Sequence, residues 1–248
     1  MPRPRPDLAS ELERLQLDML PQPDDFTCGP TCLHAIYRYL GDEVPLERLV
    51  REVSRTPSGG TLDVYLANHA LRRGYRATIY TYNLRIFDPT WFAPHVVDVA
   101  ERLRRQLEWK GDSWPMLHRL TAAYLEFLEL GGRLRLIDLG APVLRRYLRR
   151  GVPILCGLSS TWLYRRAREF GPDDVEDDVR GEPQGHFVVL CGYRPRTQSV
   201  LVADPFASPI AQGRHYEVAL ERVVGAIFLG VLTHDSNLLL IEPGKRRR

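Results

Sequence analysis

Two apolar runs separated by one short turn constrain this chain more than any other feature. They are His186-Phe187-Val188-Val189-Leu190-Cys191-Gly192-Tyr193 and Ser199-Val200-Leu201-Val202-Ala203-Asp204. Both are β-prone, and the turn between them holds Pro195, so they read as an antiparallel hairpin. If the turn is Arg194-Pro195-Arg196, Tyr193 faces Thr197 and the ladder pairs His186 with Asp204 at the open end. Residues directly opposite in such a pair have close side chains on one face. A bulge would change that pairing.

Other segments fill in an α+β chain. Arg76–Tyr82, Arg133–Ile137 and Pro153–Leu158 read as strands. Cys28–Leu40 is a helix stopped at Gly41, Pro45–Val53 a second, and Thr61–Arg73 a third, with Gly74 past its end. Leu8–Leu17, Ala141–Arg150, Thr161–Phe170 and Tyr216–Val224 also carry helical patterning, and Phe228–Thr233 with Leu238–Ile241 reads as a last hairpin. The segment 84–130 is rich in aromatics at helical spacing (Val96–Trp109, Met116–Leu130) and reads as a helical insertion or subdomain within a single domain, 1–248. Residues 1–6 form a Pro/Arg arm, and Lys245–Arg248 a basic end.

With 248 residues, 44% of them hydrophobic, the chain buries a full core. A net charge of +3 and a four-residue basic tail do not call for nucleic acid. No apolar stretch has the length of a signal peptide or a membrane span. The four cysteines, Cys28, Cys32, Cys156 and Cys191, are therefore expected to be reduced thiols of a cytoplasmic protein.

Cys28 differs from the others. It begins a helix, where backbone N–H groups lack intrahelical acceptors and the helix dipole is positive, conditions that favour a nucleophilic sulfur. Gln22, upstream in the loop, supplies an amide able to donate to an oxyanion beside that sulfur. Of the seven histidines, His34, His69 and His118 lie in predicted helices, His95 at the edge of one, and His215 and His234 in or beside loops. His186 alone opens an apolar strand after a Gly-containing loop, at an element end able to reach a cleft. Metal is not expected: Cys28 and Cys32 share a helix face, but His34 points away. No cofactor is called for.

On these residues the chain resembles the papain-like cysteine peptidases, in particular the branch that cuts double-glycine leaders from bacteriocin precursors. Gln22 with Cys28-Gly29-Pro30, Gly185–Tyr193, Ala203-Asp204-Pro205, Gly151–Leu155 and Ser58-Gly59-Gly60-Thr61 carry the resemblance, in family order, across roughly 22–83 and 141–206. It implies a papain-like α+β fold, with an N-terminal helical half, a C-terminal antiparallel sheet and segment 84–130 as an insertion. It also implies Cys28 as nucleophile, His186 as base, Asp204 as the third member and Gln22 in the oxyanion hole. No transporter domain follows, so a stand-alone domain is expected. Three functions stay open: a peptidase or amidohydrolase, a transpeptidase whose thioester is resolved by an amine, and a catalytically silent peptide-binding module. The acidic run Asp173-Asp174-Val175-Glu176-Asp177-Asp178 is a surface loop just before His186, and it makes a basic peptide substrate a further expectation.

Overall fold

Apolar runs without polar alternation need cover on both faces, and the sheet they build here has it. The computed structural model describes residues 13–92, 97–207, 213–234 and 236–244. In chain order the elements are β1 (Glu13–Arg14), α1 (Cys28–Tyr39), α2 (Leu46–Glu52), α3 (Asp63–Arg72), β2 (Arg76–Thr81), α4 (Val99–Lys110), α5 (Met116–Glu129), β3 (Arg133–Arg135) and α6 (Ala141–Leu148). There follow β4 (Ile154–Ser159), α7 (Ser160–Tyr164), β5 (Glu169–Phe170), β6 (Val175–Glu176), β7 (Gly185–Arg194), β8 (Ser199–Ala203), β9 (His215–Ala219), α8 (Leu220–Leu229) and β10 (Asn237–Glu242). The fold is α+β.

The main sheet runs β3-β2-β10-β4-β7-β8-β9, with β1 added on β7. The β2–β3 pair is parallel, and the other described pairs are antiparallel. Side chains alternate between the two faces. On one face Leu155, Phe187, Val189 and Leu239 pack with Leu33 and Ile36 of α1, Leu66 and Ala70 of α3, and Tyr124 and Phe127 of α5. On the other, Ile154, Cys156, Val188, Leu190 and Val202 pack with α6, α7 and α8 through Leu144, Leu163, Val223 and Ile227. The first face carries Cys28 into the site, and the second carries Asp204.

Segment 84–130 holds α4 and α5, and their Leu103, Leu120 and Phe127 join the core of the first face. Among the described residues no helix is long and apolar enough to cross a membrane.

Several expected elements change. The helix over Leu8–Leu17 lies partly outside the described residues, and Glu13–Arg14 is a strand. β7 is longer than β4, which pairs it only up to Leu190, so the edge beyond would have unpaired backbone groups. β1 pairs there with Gly192 and Tyr193. The helix from Thr161 stops at Tyr164, because Arg165 takes a left-handed conformation, φ 59°. Tyr216 belongs to β9, and Phe228–Thr233 is helical rather than a strand. The run Val223–Leu232 is apolar throughout, and such a run does not separate helix from strand by period. β10 instead fills the sheet between β2 and β4. The 1–6 arm, the 245–248 tail and His95 lie outside the described residues.

Candidate active site

The loop before α1 is tied down by its own short polar side chains. Asp24 Oδ1 accepts from the Phe26 N–H (2.9 Å), and Thr27 Oγ1 donates to the Asp24 carbonyl (3.1 Å) while accepting from the Asp24 N–H (3.2 Å). Cys28 follows as the first residue of α1 and is half-buried. Gly29 lets the helix start sit close to its neighbours: a Cβ there would lie 2.5 Å from Thr61 Cγ2 and 3.2 Å from Phe187 Cδ2. One turn on, Cys32 is fully buried, and its Sγ–H faces the Phe187 carbonyl at 3.2 Å. Burial, then the charges of Cys28 and Asp204, push the Cys32 thiol well above its ordinary range. The helix start is thus docked against the first residues of β7, where His186 sits.

The His186–Asp204 contact forms, but not by the expected register. The turn spans Pro195–Gln198, with Arg194 opposite Ser199, and a bulge between Leu190 and Gly192 shifts the ladder. Val189 then faces Ala203, so continuing the ladder places Asp204 beside Val188, diagonal to His186 on the same face. Diagonal neighbours are within reach of long side chains, and His186 Nε2 meets Asp204 Oδ1 at 2.8 Å. Without the bulge every residue of β8 beyond it would have changed face.

Asp204 is completely buried, and both its oxygens are engaged. Oδ1 also accepts from the Phe206 N–H (2.9 Å), and Oδ2 accepts from the Tyr164 hydroxyl (2.7 Å) and the Tyr216 hydroxyl (2.5 Å). Burial alone would raise the carboxyl's pKa, but the His186 charge and these donors outweigh it and lower it. His186 shows the reciprocal balance. Burial opposes its cation, while the Asp204 charge and hydrogen bond, together with a hydrogen bond to Cys28, push the imidazole up to about 10. With Nε2 on Asp204, Nδ1 is the nitrogen left for Cys28.

Gln22, Cys28 and His186 line one cleft of about 1050 Å³, with Tyr164 and Phe206 on its wall. The Gln22 backbone N–H donates to the Pro205 carbonyl (3.0 Å), which joins the loop before Cys28 to the segment after Asp204. The Gln22 side-chain amide donates one N–H to the Asp24 carbonyl (2.8 Å) and has a second to give. Its Oε1 is buried without a partner.

Tyr164, Tyr216 and Phe206 escaped the sequence reading. His215-Tyr216-Glu217-Val218 alternates as a strand does, and a buried tyrosine needs a partner for its hydroxyl, but nothing local names Asp204 as that partner. Of the acidic run, Asp173 and Asp174 line the cleft, joined by Glu169 and Asp25. Burial and the Asp174 charge hold Glu169 above its usual range. Asp177 instead ties its own turn, accepting from the Val179 and Arg180 N–H groups and pairing with the Arg180 guanidinium at 2.6 Å.

No family model matches the chain, and no curated protein matches it. Among solved structures it is similar to a double glycine motif protease from an AMS/PCAT transporter in complex with the leader peptide. The identity is 14%, covering 93% of this chain and 94% of that one, with a TM-score of 0.45. It is also similar to the peptidase domain of Streptococcus ComA, a bi-functional ABC transporter of a quorum-sensing pathway. There the identity is 14%, covering 92% of this chain and 98% of that one, with a TM-score of 0.42.

Proposed function

We propose that this chain is a papain-like cysteine peptidase or amidohydrolase that cleaves a peptide or peptide-like amide through Cys28, His186 and Asp204. The observation behind this reading is one histidine held between a helix-start cysteine and a buried, four-donor carboxylate, facing an open cleft. A nucleophile, a base and a group that orients the base are the parts acyl transfer needs.

In this reading Cys28 and His186 share one proton as a thiolate–imidazolium pair. The sulfur attacks the amide carbonyl carbon, and the oxyanion is held by the Cys28 N–H and the free Gln22 amide N–H. As the C–N bond breaks, His186 Nδ1 gives its proton to the departing amine. Water then attacks the thioester, His186 takes a proton from it, and the acid leaves. Asp204 accepts four hydrogen bonds throughout, so it orients the ring and stabilises its charge without taking a proton. Segment 84–130 is an insertion on a single catalytic domain.

Asp25, Glu169, Asp173 and Asp174 give one cleft wall negative charge, which suits a basic peptide. Charge reversal at Asp173 and Asp174 that left a preference for basic peptides intact would remove this part of the reading. The central test is thiol labelling with substoichiometric iodoacetamide at neutral pH, read by peptide mass mapping. Cys28 is expected to label well ahead of Cys32, Cys156 and Cys191, and to lose that lead in His186→Ala. Equal labelling of Cys28 and the buried thiols would sink the nucleophile assignment.

A further inference from the structure

A second cavity, of about 650 Å³, opens past α7 beside the catalytic cleft and shares only Thr161 and Arg166 with it. Its floor is apolar and exposed, formed by Trp162, Leu229 and Leu232. Its rim carries Arg165, Arg166 and Arg168 against one carboxylate, Glu182. Among the described residues only Arg166 of the three has a carboxylate partner, Glu176 at 2.5 Å. Arg168 donates to the backbone carbonyls of Asp178 (2.7 Å) and Val179 (3.2 Å). The Arg165 guanidinium carbon lies over the Trp162 ring, 4.0 Å from its centroid.

Arg165 has φ 59° and ψ 43°, the left-handed conformation that glycine adopts at a helix end without strain. An arginine there accepts strain, and strain of this kind collects at ligand clamps. What arginine adds over glycine is a cation placed on an indole at the mouth of an apolar pocket. A guanidinium in that setting favours a carboxylate or similar anion, and the exposed floor favours a hydrocarbon or ring that water would otherwise surround. The volume falls within the roughly 300–1,000 Å³ range of small-molecule sites.

We propose that this pocket binds a small free amphiphile with an aromatic or aliphatic body and one anionic head. None of the groups placed in the acyl-transfer machinery lines it, so it stands or falls apart from that reading.

The test is a fluorescence titration of the full chain with anilinonaphthalene sulfonate, an aromatic monoanion, beside its neutral relative phenylnaphthylamine. The expected result is a single saturable site for the anion, with weak binding of the neutral dye. Arg165→Gly should weaken the anion about tenfold or more, the scale of one charge-assisted contact, while melting temperature holds or rises. Leu232→Asp, at an exposed position, should abolish binding. Decanoate should displace the dye, and decanol should not. Unchanged affinity in both variants would overturn the proposal. So would a neutral dye that binds as tightly as the anion, or displacement by decanol as efficient as by decanoate.

Discussion

Two buried histidines in this molecule each touch a carboxylate, and their surroundings drive them in opposite directions. His186 meets Asp204 at 2.8 Å, and His69 of α3 meets Glu52 of α2 at 3.1 Å. The Asp204 side chain is 0% exposed and the Glu52 side chain 38%. Water screens the Glu52 charge, while the Asp204 charge acts through protein alone. Burial lowers the His69 pKa below the usual value, and the nearby Arg73 and Arg72 charges add to it against the hydrogen bond and charge of Glu52. Burial opposes the His186 cation too, but there the fully buried Asp204 charge, its hydrogen bond and the hydrogen bond to Cys28 outweigh it. His69 uses its second nitrogen on the Tyr37 hydroxyl (2.9 Å), a buried group that needs a partner. A histidine–carboxylate contact therefore does not by itself make a catalytic base. The burial of the carboxylate and the identity of the second neighbour decide.

The largest effect should come from removing the two imidazoles in turn. His186→Ala is expected to lower kcat by roughly four to six orders of magnitude, the scale of losing the base of a catalytic triad. His69→Ala should leave kcat within about twofold and cost about 1–3 kcal/mol of stability, because the Tyr37 hydroxyl loses its buried partner. Turnover of a fluorogenic peptide and urea denaturation, run on both variants, test the contrast. A large kcat loss in His69→Ala would erase it.

Next in size is Gln22→Ala. One oxyanion donor is worth about 3 kcal/mol of barrier, so kcat should fall roughly two to three orders of magnitude with KM little changed. If KM rises and kcat holds, Gln22 binds substrate and does not stabilise the oxyanion.

Smaller again are Tyr164→Phe and Tyr216→Phe, each of which removes one of the two donors to Asp204 Oδ2. Each should lower kcat about tenfold, the scale of one hydrogen bond to a charged group. The double variant should exceed the product of the singles, since the second loss leaves Oδ2 without either donor. Strict additivity would mean that the two hydroxyls act independently, and an unchanged kcat in both single variants would mean that the tyrosines act only as packing.

The two histidines should also leave opposite marks on stability against pH. The folded His186 holds its proton above the ordinary value of 6.5, so its stabilisation is complete below about 6.5 and is lost as pH rises towards about 10. The folded His69 resists protonation, so its contribution is complete above about 6.5 and is lost as pH falls below it. Chemical denaturation from pH 5 to 10 should show His186→Ala flattening the alkaline limb and His69→Ala the acid limb. The same slope change from both variants would contradict the assignment.

Much of this site was legible because its signals are local. The apolar period after Cys28 and the stop at Gly41 place the cysteine at a helix start without reference to any other segment. The apolar runs at 153, 186 and 199 read as strands, and His186 falls at the open end of one. The nonlocal steps were less legible. Glu13–Arg14 became a strand because β7 outruns β4 and has an edge to fill, which no local pattern records. Phe228–Thr233 turned helical because an all-apolar run satisfies either period.

The sequence by itself determined which residues are the candidates for chemistry: Cys28 at a helix N-terminus, Gln22 in the loop before it, and His186 and Asp204 on adjoining apolar runs. Only the tertiary structure decided that His186 and Asp204 share a face. Strand side chains alternate with a period of two, so a bulge at Cys191, beside Gly192, and a turn one residue longer than expected reset the register while leaving both residues on one side. It also decided that Tyr164 and Tyr216 close around Asp204. Three elements far apart in the chain must pack before those hydroxyls meet a carboxylate, and that packing is a property of the whole core.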